Sequence, residues 1–145
     1  GSGLYVSNNR QVGEHYRDMK SGGTLYHAKM HTDPKRMLHW HKPINDQHPV
    51  VKKAIEKVGF PTHEHNDPHG RHVFHWLRKT GKDYGYSAIA ASEHATRALK
   101  SHGVHGITYN GDMEGKTTEK PINHVIFDHR HLSIHKRYND KGHEI

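Results

Sequence analysis

Short runs of apolar residues alternate along this chain between strand-like and helix-like spacing. An apolar run from Leu4 to Val6 predicts a first strand, and alternating residues from Thr24 to Met30 predict a second. Between them, a helix is indicated over Arg10 to Met19, and Ser7, Asn8 or Asn9 can cap its start. The chain therefore begins with a strand, a helix and another strand.

The middle of the chain has mainly helical spacing. Residues 31–48 are polar and predict an ordered loop with one helical turn. Pro49 begins a helix that continues through Val58, where Gly59 ends it. A second helix is predicted from about Gly70 to Gly81, and a third, broken once, from Ser87 to Ser101.

Three more short strands are predicted after the helices, over Val104 to Tyr109, Val125 to Phe127 and Leu132 to Ile134. This order predicts an α+β fold, with a small twisted, mainly antiparallel sheet and short flanking helices. Leu, Ile, Val and Phe make up only 25 of the 145 residues, so we expect a thin core. Gly1 and Ser2 resemble a protease-cleavage scar, and residues 3–145 are expected to form a single domain.

Composition excludes several classes of protein. The absence of cysteine excludes a disulfide scaffold, thiolate catalysis and any metal site that needs sulfur ligands. No apolar run approaches the 18 residues of a membrane span and no signal peptide is recognisable, so a cytoplasmic protein without a membrane partner is expected. A formal charge of +7 favours polyanionic partners such as nucleic acid, and 19 histidines make the charge sensitive to pH.

The segment from Gly3 to Tyr16, GLYVSNNRQVGEHY, resembles the second motif of the ADP-ribosyltransferase superfamily, especially its poly-ADP-ribose-polymerase-like branch. In that motif a strand carrying Gly, a hydrophobic residue and Tyr precedes a helix with a second Tyr, at the separation of Tyr5 and Tyr16. The resemblance implies that the two rings stack on the nicotinamide of NAD. It also implies that Gly13 stands where many members have an amide-binding Ser, and that Arg10 or Arg17 meets the pyrophosphate.

Later segments carry the same resemblance. The stretches HGVHGITYNG and PINHVIFDHRHLSI are similar to the end of ADP-ribosyltransferase-like domains in polyvalent proteins of phages and conjugative elements, and LHWHKPINDQHPVVKKAIEKVGF resembles a segment of the same group. The strand histidine of the family's first motif is expected before Tyr5, where only four residues stand. The glutamate of the third motif falls at Asn123, beside His124. An ADP-ribosyltransferase-like fold is therefore implied.

The activity implied by this resemblance is transfer of ADP-ribose from NAD to a protein or nucleic-acid acceptor, as in a toxin or effector. Asn123 and His124 are the implied reaction-centre residues. Because asparagine carries no charge, it stabilises a developing cation less than glutamate does. Transfer through another group, such as Glu114 or Glu119, and a binding role without transfer are the alternatives.

The abundant histidines favour a different class of function. Two histidines and a cation suffice for metal-independent cleavage of RNA by general acid-base catalysis. The candidate ribonuclease cluster consists of His124, His129, His131 and His135, with Arg130, Lys136 and Arg137. A separate cluster, His69, His72 and His75, has spacing that could hold Zn²⁺ or Ni²⁺ at the start of the second predicted helix.

Overall fold

A computed structural model describes residues 4–7, 25–110, 122–139 and 141–145. Within these ranges lie six strands: β1 (Leu4–Ser7), β2 (Leu25–Met30), β3 (Met37–His39), β4 (Gly106–Asn110), β5 (Ile122–Ile126) and β6 (Leu132–Tyr138). The same ranges contain three α-helices, α1 (Pro49–Lys57), α2 (Gly70–Asp83) and α3 (Ala88–Ser101). Single 3-10 turns lie at Pro34–Arg36, Ile44–Asp46, Thr62–Glu64 and His129–His131.

The strands form two sheets. The larger has the order β1-β5-β4-β3, with antiparallel pairing of β1 with β5 and of β5 with β4, and parallel pairing of β4 with β3. The smaller sheet pairs β2 with β6 antiparallel, with an irregularity between His27 and Ala28. The predicted α+β class is therefore confirmed, and the larger sheet is mixed because β3 runs parallel to β4.

The hydrophobic core lies between the helices and the face of the larger sheet that carries Leu38 and Ile107. Aromatic rings extend this core at its margin, where Trp40 contacts Phe74 and Trp76 meets Phe60 edge to face. The buried members of the core are Leu38, Ile44, Val51, Ala54, Ile55, Phe60, Val73, Phe74, Leu77, Ala95, Leu99, Val104 and Ile107.

The boundaries of α1 agree with the prediction, but those of α2 and α3 differ from it. The predicted end of α2 at Gly81 is wrong, because the helix continues to Asp83. Gly81 lies where α2 packs closely on α3, and a β-carbon there would stand 3.1 Å from the Cα of Ala91. The predicted break in α3 is also wrong: the helix is continuous from Ala88, and the hydroxyl of Ser87 caps it by accepting the Ala90 N–H at 3.2 Å.

Strand β3 forms within a segment for which the sequence predicted only a loop. The buried side-chain amide of Gln47, 4% exposed, contacts both backbone groups of His39. Its Oε1 accepts the His39 N–H at 3.0 Å, and its Nε2 donates to the His39 carbonyl at 2.8 Å and to the Lys42 carbonyl at 3.0 Å. Gln47 thus hydrogen-bonds the backbone groups of β3 that point away from β4, as a neighbouring strand would.

Two predicted segments lie outside the described residues: the helix over residues 10–19 and the polar insert before β5. In the part of the chain that the structure describes, no helix is long and apolar enough to cross a membrane.

We predict that Gln47→Ala lowers the free energy of unfolding by about 2–4 kcal/mol, because it leaves the His39 N–H and C=O without their partner and removes one of the two donors to the Lys42 C=O. Urea unfolding followed by circular dichroism measures the change. Asn45→Ala, at an exposed position in the same turn, is the matched control and should stay within about 0.5 kcal/mol of wild type. Equal stability of the two variants would contradict the role of Gln47.

Candidate functional site

The pairing of β1 with β5 puts Tyr5 and Asn123 on the same face of the larger sheet. Tyr5 is opposite Val125, and Ser7 is opposite Asn123. Side chains directly opposite each other on paired strands share a face, and successive residues along a strand alternate between faces. One face of the sheet therefore carries Tyr5, Ser7, Asn123 and Val125. This face continues into the core through Ile107.

Tyr5 presents part of its ring to solvent. The residue is 36% exposed, and its ring centroid lies 6.1 Å from that of Tyr109, with the planes tilted by 57°. Tyr109 is opposite Asn123 in the β4–β5 pair and packs against the core. Because the two rings are not parallel, a flat ligand would not fit as a sandwich between them, although the exposed part of Tyr5 can still stack on one.

Asn123 is buried and has an unused acceptor. The residue is 1% exposed, and among the described residues nothing donates a hydrogen bond to its Oδ1. A buried carbonyl oxygen without a donor costs about 1–3 kcal/mol, so such atoms are uncommon in folded proteins. Asn123 Oδ1 is therefore a buried acceptor that the described residues leave without a donor.

His124 lies on the opposite face from Asn123, since the two are successive residues of β5. Its Nδ1 is hydrogen-bonded to Thr108 Oγ1 at 2.8 Å, and the strand register continues this row to His39. Burial, then the charge of His39, lowers the pKa of His124, while burial and Lys42 lower the pKa of His39. The structure thus separates the side chains of His124 and Asn123, which the sequence had assigned to one reaction centre.

The remaining residues assigned through the resemblance lie outside the described residues. These are Arg10, Gly13, Tyr16, Arg17, Glu114 and Glu119. The nicotinamide sandwich between Tyr5 and Tyr16 therefore stays a prediction.

The four histidines of the candidate ribonuclease cluster have separate surroundings. His124 contacts Thr108, whereas the ring of His131 lies 4.4 Å from that of His105. The ring of His135 lies 6.0 Å from that of His27, and His129 is exposed. The fold does not bring the four imidazoles to a common centre.

The candidate metal-binding histidines take part in local packing. The Nδ1 of His72 accepts the His69 N–H at 2.8 Å, which closes the start of α2. The ring of His75 meets Trp40 edge to face, with 5.2 Å between centroids. No group of three or more His, Asp or Glu residues able to hold a metal ion occurs in the described ranges.

A hollow of about 200 Å³ lies beside His105 and His131, and the sequence did not predict it. Its lining comes from the segment before β4 and the segment after β5, which are far apart in the sequence. The abundance of histidine near residues 129–135 was the available signal, but spacing could not show that His105 is the partner of His131.

Comparisons with protein-family models, with curated proteins and with solved structures found no match for this chain. Any assignment of function therefore depends on the residues and on their arrangement.

We predict that the protein becomes less stable as the pH falls from 7.5 to 5.5. Burial is the first cause that lowers the pKa of His39, His105 and His124, so the folded state binds protons less readily than the unfolded state. Above the ordinary histidine pKa of about 6.5, these neutral histidines make their full contribution to the free energy of unfolding. That contribution is lost as the pH falls toward their lowered pKa values in the folded state.

Thermal unfolding across this pH range measures the effect, and His124→Gln should reduce the pH dependence because residue 124 then no longer titrates. The exposed His129→Gln is the matched control and should retain the wild-type difference. Asp128 does not account for the change, because Arg130 holds its pKa well below the usual carboxyl range. A melting temperature that is constant between pH 7.5 and 5.5 would contradict the prediction.

Proposed function

We propose that this chain is an ADP-ribosyltransferase-like domain that binds NAD and transfers ADP-ribose to a protein or nucleic-acid acceptor. The observation that carries the proposal is the common face of Tyr5 and Asn123 on the directly paired strands β1 and β5. These residues come from distant parts of the sequence, and the resemblance independently assigned them to nicotinamide and to the neighbouring ribose.

The exposed part of Tyr5 suits one side of a flat, electron-poor ring. Offset stacking of aromatic rings contributes about 0.5–1.5 kcal/mol beyond the area that is buried. Tyr5 lies on a paired strand, so its backbone is fixed before a ligand arrives. The nicotinamide ring of NAD matches this surface in shape and chemistry.

Asn123 provides the polar contact of the proposed site. Its buried Oδ1 can accept a hydrogen bond from a ribose hydroxyl, which would satisfy an acceptor that otherwise has no donor among the described residues. This contact orients the ribose but adds no negative charge.

NAD supplies the ADP-ribose group that is transferred. The bond from ribose C1′ to nicotinamide breaks, and the electron pair of that bond leaves with nicotinamide. A lone pair of the acceptor forms the new bond to C1′. Positive charge develops on the ribose as the first bond breaks. A carboxylate at position 123 would stabilise that charge, whereas the neutral amide of Asn123 cannot do so to the same extent. We therefore expect slow transfer by the natural sequence.

Tyr5→Ala is predicted to weaken NAD binding by about tenfold or more, since the stacking surface is removed. Tyr5→Phe keeps the ring and should retain most of the affinity. The control is Tyr26→Ala, at an exposed tyrosine on β2, which should bind NAD as wild type does. Isothermal titration calorimetry on the four proteins provides the test. Absence of saturable binding to wild type, or unchanged binding to Tyr5→Ala, would contradict the proposal.

Asn123→Glu is predicted to accelerate release of nicotinamide from NAD by about tenfold or more, because a carboxylate stabilises the developing positive charge. Asn123→Leu should fold with near-wild-type stability, since Oδ1 has no donor to lose among the described residues, yet it should bind NAD less tightly. Chromatography of released nicotinamide and calorimetry measure the two effects. RNA cleavage by the same preparations, unaffected by either variant, would instead favour the ribonuclease alternative.

A further inference from the structure

The hollow beside His105 and His131 lies at the opposite end of the β4–β5 pair from Asn123. Gly106 pairs with Ile126 next to the hollow, whereas Tyr109 pairs with Asn123 toward the other end. Asp128 in the hollow is five positions after Asn123, which corresponds to about 16 Å of extended chain. The hollow is thus separate from the face proposed to bind NAD.

Two imidazole rings form one wall of the hollow. The rings of His105 and His131 are 4.4 Å apart at their centroids and inclined by 32°. The Nδ1 of His105 accepts the Asp33 N–H at 3.4 Å, whereas the buried Nδ1 of His131 has no hydrogen-bond partner in the described part of the chain. The wall therefore contains a buried polar atom that the described residues leave unsatisfied.

Cations outnumber carboxylates at the rim. Asp128 is held by Arg130 at 2.7 Å and by Lys100 at 3.6 Å, so two cations face one carboxylate. The guanidinium of Arg36 donates to the Gly103 carbonyl at 3.3 Å and lies 3.9 Å from the carboxylate of Asp33, so three cations and two carboxylates surround the hollow. The local environment is therefore suited to an added negative charge.

The pKa of His105 is consistent with this charge distribution. Burial lowers it first, followed by the charges of His131 and Arg36, while Asp33 and Asp128 act in the opposite direction with smaller effect. An anion in the hollow would offset these effects and favour the protonated imidazole.

We propose that this hollow binds the phosphate group of a small phosphorylated molecule, with His131 and His105 as hydrogen-bond donors and Lys100 and Arg130 as charge partners. A volume of about 200 Å³ holds a tetrahedral oxyanion and a few waters, given that liquid water occupies about 30 Å³ per molecule. Protonation of His131 would give an N–H donor at Nδ1, which has no partner among the described residues, while His105 can donate only from Nε2 because its Nδ1 accepts the Asp33 N–H.

Calorimetric titration with inorganic phosphate and with sulfate, at pH 6 and pH 8, tests this proposal. Sulfate keeps its charge over this range, so its pH dependence reports the protein alone. Saturable binding of both anions is expected. If sulfate binding raises the pKa of an imidazole by one unit, sulfate should bind more tightly at pH 6 than at pH 8, by up to about tenfold. Adenosine monophosphate forms a third arm: tighter binding than phosphate would identify a nucleotide as the source of the group, and equal binding would identify free phosphate.

His131→Ala and His105→Gln should each weaken anion binding at pH 6 by about tenfold or more. His129→Ala changes an exposed histidine in the same 3-10 turn and should bind as wild type. All three should bind NAD normally, so failure of this proposal is distinguishable from failure of the proposed function. In wild type, phosphate should also shift the imidazole nuclear magnetic resonance signals of His105 and His131 but not that of His129.

Unchanged anion affinity in folded His131→Ala, or unmoved imidazole signals of His105 and His131 at saturating phosphate, would overturn the proposal. Binding of an RNA oligonucleotide that is sensitive to these variants, without binding of phosphate, sulfate or the mononucleotide, would also overturn it in favour of a nucleic-acid surface. The resonance measurement uses the wild-type protein and remains decisive if a variant fails to fold.

Discussion

The side-chain amide of Gln47 holds together the part of the fold on which the larger sheet depends. By bonding to both backbone groups of His39, it completes the free edge of the three-residue strand β3. The start of α2 is fixed against the same strand, because a β-carbon at Gly70 would overlap the His39 carbonyl oxygen. Backbone bonds from Gly70 to Lys42 and from Arg71 to Trp40, both at 3.0 Å, join the helix to the loop after β3.

The rest of the larger sheet extends from this junction. Strand β4 pairs with β3 in parallel, and β5 pairs with β4 so closely that a β-carbon at Gly106 would overlap the Val125 carbonyl. Strand β1 lies on the far side of β5 and aligns Ser7 with Asn123. The face proposed to bind NAD is therefore at the opposite edge of the sheet from β3.

The same strands supply three chemically different surroundings. One face of β5 carries the amide oxygen of Asn123, which has no donor among the described residues, and the other carries His124 in its bond to Thr108. The end of the strand leads into the hollow of His105 and His131. A rigid sheet can keep such groups apart over short distances, because alternation of side chains and strand length fix their positions. The face proposed to bind NAD and the hollow proposed to bind an oxyanion consequently share no residues.

The sequence by itself determined the features that depend on neighbours along the chain. Pro49 and Gly59 delimit α1, and apolar alternation marks β2. These features are local, so a short stretch of chain contains the information that decides them.

Only the tertiary structure decided the rest. Strand β3 forms where Gln47 and β4 bond to its two edges. Helix α2 continues past Gly81, which packs against Ala91 of α3. The ring of His131 lies against that of His105 and not against His124 or His135. Periodicity cannot reveal these outcomes, because each depends on the burial of groups that are distant in the sequence. Hydrogen bonding and close packing favour particular partners only after the chain has brought them together.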